Sequence, residues 1–86
     1  MGLDTVELIL EAEKHFGVAI PDARAAQTET VAQLASLICE LRSATGSPLS
    51  FDDALLQLQQ LTARMFGVPI ERIVPEARFV ADLRLD

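Results

Sequence analysis

The sequence predicts an all-α fold: a small helical bundle of three principal helices joined by loops and short helical turns. In three segments, apolar residues recur at spacings of three and four, the pattern of a helix that buries one side. Each segment has near its start a residue type that commonly caps helices, and glycine follows the first and third directly. The three segments are residues 3–16, 31–43 and 51–66.

The first predicted helix runs from Leu3 to Phe16. Asp4 and Glu7 have the spacing of a capping box, in which two side chains satisfy the backbone N–H groups at a helix start. Gly17 suits the left-handed conformation that ends many helices. Four apolar residues are predicted to face the core: Leu8, Ile9, Ala12 and Phe16.

The same helix carries a second apolar line, which a core-facing stripe does not need. It consists of Leu3, Val6 and Leu10, and acidic residues surround it. One interpretation is a docking surface for a basic protein partner. The other is an ordinary solvated acidic face. The residues predicted to contact such a partner are Leu3, Asp4, Val6, Glu7, Leu10 and Glu13.

The second and third helices also have start signals. Thr30 and Gln33 form another capping box, for a helix expected to end near Arg42, and Ser50 caps the helix over 51–66. The third helix is more apolar than one core stripe requires. Either its neighbours surround it, or part of it contacts a second copy in a homodimer. Three later residues are expected to pin the following loop to the core: Phe79, Val80 and Leu83.

Composition excludes several classes of function. A chain of 86 residues forms one domain, and its formal net charge of −6 argues against nucleic-acid and anionic-membrane partners, which basic surfaces bind. Cys39 is the only cysteine, so no internal disulfide forms and a reducing compartment is expected. Because neither a secretory leader nor an apolar run of roughly twenty residues is recognised, the expected location is the cytoplasm.

The sequence contains no constellation of residues typical of catalysis or of a metal site. His15 is the only histidine, which excludes a histidine-based metal cluster and leaves one candidate general base. The acidic residues of the first helix lack the spacing and the glycine turn of a calcium loop. The sequence therefore predicts a protein that is not an enzyme and that holds no metal.

Two stretches, taken together, resemble the acyl carrier protein family. Residues 3–8 (Leu-Asp-Thr-Val-Glu-Leu), with Phe16 and residues 20–22 (Ile-Pro-Asp) beyond them, are similar to the family's second helix and the segment after it. Residues 66–68 (Phe-Gly-Val) and 79–83 (Phe-Val-Ala-Asp-Leu) are similar to its first helix and long first loop. The order of these parts is reversed here, which is the pattern of a circular permutant.

The resemblance implies how the single domain, residues 1–86, is organised. Residues 1–43 resemble the second to fourth carrier helices, 44–50 form a linker, and 51–86 resemble the first helix and its loop. In the family, a serine that follows an aspartate carries phosphopantetheine. Asp86 matches this aspartate, and Gly2 stands where the serine would precede Leu3. A permuted monomer and a domain-swapped dimer both fit this order.

Three functions stay open. The first is an acyl-carrier-like module without phosphopantetheine that docks on a basic patch of a fatty-acid or polyketide synthesis enzyme. The second is a genuine acyl carrier, either a fragment or a chain that carries phosphopantetheine at an unusual hydroxyl. The third is a bundle that binds an apolar ligand in its interior.

Overall fold

A computed structural model of the protein describes residues 2–85. This part of the chain contains three long helices and two short ones, joined by loops. The prediction of an all-α bundle with three principal helices is confirmed. The described residues contain no strand, and Thr30 and Arg78 form an isolated antiparallel bridge. The helices are α1 (Leu3–Phe16), α2 (Asp22–Ala25), α3 (Val31–Ala44), α4 (Phe51–Phe66) and a 3-10 turn (Ile70–Arg72).

The start of α1 differs from the prediction. Gly2 is the residue that precedes the helix, and no side chain caps it, so the proposed box of Asp4 and Glu7 is wrong. Asp4 is already the second helical residue, and a cap must lie outside the helix. At this end the Thr5 hydroxyl donates a hydrogen bond of 2.8 Å to the Gly2 carbonyl. Gly17 ends α1 at φ 66°, as predicted.

The caps of α3 and α4 are confirmed. Thr30 Oγ1 accepts the Gln33 N–H, and the Gln33 side chain accepts the Thr30 N–H in return. Ser50 Oγ accepts the Asp53 N–H at 3.2 Å. The linker is shorter than predicted, because α3 continues through Ala44.

The core is a single, mostly aliphatic cluster that includes residues of α1, α3, α4 and the C-terminal loop. Leu34 and Ile38 of α3 and Leu58 of α4 have no solvent-exposed surface, and the predicted stripe of α1 is buried against the same cluster. The radius of gyration is 11.7 Å, against about 12 Å for a compact chain of this length. The segments before and after the linker therefore pack on each other within one chain.

Carbonyl groups from the C-terminal loop complete the start of α3. The N–H groups of Val31 and Ala32 donate to the carbonyls of Ala77 and Pro75, at 3.0 and 2.9 Å. The first turn of a helix has no intrahelical partners for these N–H groups. Because both carbonyls come from beyond α4, these bonds join the C-terminal loop to the start of α3.

Two of the three predicted anchors pin the loop over residues 73–85 to the core. Phe79 and Leu83 are buried, but Val80 is 63% exposed, so its prediction as an anchor is wrong. The N–H groups of Asp82 and Leu83 both donate to the Arg78 carbonyl. This turn directs Phe79 and Leu83 inward and leaves Val80 on the outside. Leu85, which had not been predicted, is also buried.

Replacing Leu58 with alanine should lower the free energy of unfolding by about 3 kcal/mol, because it leaves a cavity in a fully packed site. Leu56 lies on the same helix but is 50% exposed, so Leu56→Ala should change the stability by less than about 0.5 kcal/mol. Urea unfolding followed by circular dichroism measures both. Equal losses for the two variants would contradict the assignment of the core.

Candidate functional site

The apolar line of α1 lies on the protein surface. Leu3 is 70% exposed, Leu10 is 52% exposed and Val6 is 37% exposed, whereas Leu8 and Ile9 on the same helix are buried. These spacings place the three exposed side chains along one side of the helix. Three large apolar groups in a row, on a helix whose other exposed residues are charged or polar, form a small apolar surface patch.

The acidic residues of α1 differ in what they can offer a partner. Glu7 is exposed, and Asp4 is half-buried in the first turn, where the helix dipole favours a negative charge. Glu13 accepts a hydrogen bond of 2.8 Å from the Ile20 N–H, so it also fixes the segment that leads to α2. Glu13, one of the six predicted docking residues, therefore has a structural function as well.

A groove beside α2 extends the apolar line. It has a volume of about 360 Å³. Val6 and Leu10 line it together with two acidic residues, Glu13 and Asp22. An apolar floor next to two carboxylates suits an apolar side chain flanked by a basic one. The remaining lining residues are Ile9 and Ala26.

A second cavity, which shares Ile9 and Ala26 with this groove, lies between the first turns of α1, α3 and the C-terminal loop. Its volume is about 400 Å³, within the range of small-molecule sites. Leu8, Leu34 and Phe79 give it an apolar character, and Thr5 and Arg78 contribute polar groups. The other lining residues are Ile9, Ala26, Thr28, Glu29, Val80 and Ala81.

The loop wall of this cavity is held by the Arg78–Asp82 pair. Asp82 Oδ2 accepts the Arg78 backbone N–H at 2.8 Å and lies 3.3 Å from Arg78 Nε. These bonds, the backbone one foremost, hold the pKa of the Asp82 carboxyl below its usual range. The carboxylate, which is charged at neutral pH in any case, therefore keeps its charge and its bonds to Arg78 to a more acidic pH.

Of the two residues at the predicted prosthetic-group position, the structure describes one. Gly2 lies half-buried at the start of α1, and Asp86 lies outside the described residues. The nearest hydroxyl in the helix, on Thr5, is buried and donates to the Gly2 carbonyl. Leu85 donates its N–H to the Phe79 carbonyl at 2.8 Å. Because Thr5 and Phe79 line the same cavity, the first turn of α1 and the C-terminal loop are neighbours.

The remaining chemically versatile residues lie away from both cavities. His15 is exposed and shares a hydrogen bond of 2.9 Å with Gln57, which links α1 to α4. Burial raises the pKa of the Cys39 thiol, which lowers its reactivity. Within residues 2–85, no cluster of three or more metal-ligating side chains is present. None of the helices described there is long and apolar enough to cross a bilayer.

Two features of the site were not predicted from the sequence. The bond from Ile20 to Glu13 joins residues seven apart, and no capping motif indicates it. The cavity brings Thr5 next to Phe79, and only the folded chain brings residues so distant in sequence together. The reversed family resemblance was the only sequence signal that placed these two regions near each other.

Comparison with known proteins does not assign the chain to a family. No protein-family model matches the sequence, and no solved structure matches the fold. Self-association through the exposed Phe51 and Leu56 of α4 stays a prediction.

Proposed function

We propose that the protein is a docking module of the acyl-carrier type that carries no phosphopantetheine. Its partner is an enzyme of fatty-acid or polyketide synthesis that presents a basic patch around an apolar pocket. The observation that carries this proposal is the exposed line of Leu3, Val6 and Leu10, with Asp4 and Glu7 beside it. The protein acts by binding and not by catalysis, and its single cysteine suits a cytoplasmic setting.

The apolar and acidic residues contribute differently to such a complex. Covering the exposed parts of the three apolar side chains is worth roughly 1 to 2 kcal/mol each. The carboxylates mainly speed the encounter with a basic surface and exclude acidic partners.

The permuted order is part of the proposal. The first turn of α1 adjoins the loop that resembles the segment before the carrier serine, which supports a bundle whose parts are written in reverse order. In this bundle Gly2 occupies the position of the missing hydroxyl. The buried Thr5 hydroxyl, already hydrogen-bonded to Gly2, is a poor substitute.

A second candidate function rests on the cavity of about 400 Å³ that Leu8, Leu34 and Phe79 line. A pocket of this size and character suits the noncovalent binding of an apolar ligand. A ligand of this kind would appear as a mass present in the native spectrum of the purified protein and lost from the denatured spectrum.

Reversing the charge of Glu7 should weaken binding to a β-ketoacyl synthase that accepts carrier proteins. Placing like charges against a basic patch costs about 1.4 kcal/mol or more, so Glu7→Lys should raise the dissociation constant roughly tenfold or more. Glu71→Lys is the matched control, because Glu71 is also exposed but lies on the 3-10 turn after α4. Titration calorimetry measures both variants.

The apolar line is tested in the same assay. Leu3→Ala should weaken the complex, and Leu56→Ala, which truncates an exposed leucine on α4, should not. The proposal is contradicted if Glu7→Lys and Glu71→Lys change the dissociation constant equally and Leu3→Ala and Leu56→Ala also do so. In that case α1 is not the docking surface.

The chain should not be loaded by a phosphopantetheinyl transferase with coenzyme A, because Gly2 offers no hydroxyl. Gly2→Ser restores a hydroxyl directly before Leu3, and this variant should gain the mass of the arm. Intact-mass spectrometry under denaturing conditions measures both proteins.

Each outcome of the loading assay is informative. Loading of the unmodified chain would favour a genuine carrier with an unusual attachment site. Failure of Gly2→Ser, with its helical content unchanged, would contradict the permuted carrier arrangement.

A further inference from the structure

The linker between α3 and α4 is held in a closed turn by one side chain. Arg42 Nε donates to the Ser47 carbonyl at 2.8 Å, and Arg42 Nη2 lies 3.1 Å from Ser47 Oγ. Arg42 Nη1 also contacts the Phe16 carbonyl at 3.3 Å, at the end of α1. We call the two contacts between Arg42 and Ser47 the Arg42 clasp.

The backbone supports the same turn. The Ser47 N–H donates to the Arg42 carbonyl, and the Gly46 N–H donates to the Ser43 carbonyl, both at 3.2 Å. This pair of bonds is a Schellman motif, and Gly46 takes the required left-handed conformation at φ 80°. The turn therefore ends α3 and reverses the chain at a defined place.

We propose that the Arg42 clasp is a conformational lock that keeps each chain closed on itself and prevents exchange of α4 between two copies. Most contacts of α4 with α3 would be the same in a monomer and in a domain-exchanged dimer. Only contacts that differ between two states shift their equilibrium. The linker decides the outcome, because it must open for α4 to reach another molecule.

The two groups of contacts made by Arg42 behave differently on exchange. The bond to Phe16 joins two parts of the segment before the linker, so it survives in both states. The bonds to Ser47 require the closed turn, since an extended linker carries Ser47 away from the guanidinium. The clasp, together with the backbone bonds of the turn that it closes, therefore stabilises the monomer relative to the exchanged dimer.

The proposal predicts that Arg42→Ala dimerises more readily than the unmodified protein. Losing two charge-assisted hydrogen bonds should raise the dimerisation constant roughly tenfold or more. Arg64→Ala is the control, since it removes an equal charge from an exposed position on α4 and should leave the constant unchanged. The proteins are refolded from urea at several concentrations and analysed by sedimentation equilibrium.

A second variant keeps the test decisive if Arg42→Ala folds poorly. Gly46→Ala leaves the clasp residues in place, and an added Cβ would meet no atom within 4 Å, but φ 80° disfavours alanine. This variant should shift the constant in the same direction. The exchanged dimer should persist after dilution for as long as unfolding takes. Equal constants for all variants, or a dimer that separates at once on dilution, would overturn the proposal.

Discussion

The start of α3 is the contact on which the rest of the structure depends. Its first N–H groups, on Val31 and Ala32, find their acceptors in Ala77 and Pro75, which lie beyond α4. Leaving such groups buried without partners costs about 1 to 3 kcal/mol each. The hydrogen bonding at the start of α3 is therefore complete only when the C-terminal loop is docked. The packing of Leu34 and Ile38 against Leu58 adds the apolar part of the same association.

This contact also positions the candidate site. Phe79 follows closely on Ala77, and its N–H donates to the Glu29 carbonyl at 2.9 Å. That bond holds the loop against the segment that leads into α3, and Phe79 there lines a cavity together with Thr5 of α1. The exposed line of α1 lies on the other side of the helix, supported by the bond between Ile20 and Glu13. The exposed apolar line and the cavity thus lie on different sides of one helix.

Local signals made much of the fold predictable. The Thr30–Gln33 box, the Ser50 cap and the glycines that end α1 and α4 act within a few residues, so their chemistry can be read from the sequence. The exposed line of α1 was predictable for the same reason, since helical spacing separates Leu3 from Leu8. Val80 was not, because a tight turn has no apolar periodicity. The cavity and the capping carbonyls require residues far apart in sequence, and no local pattern encodes such pairs.

Native-state hydrogen exchange tests most directly whether the two segments form one cooperative unit. The amides of Val31 and Ala32 should exchange with the same free energy as that of Ile38 in the middle of α3, because freeing them requires the C-terminal loop and the core to open together. Exchange of Val31 and Ala32 at a much lower free energy, with Ile38 still protected, would contradict this account. It would mean that the loop separates from α3 while the bundle stays folded.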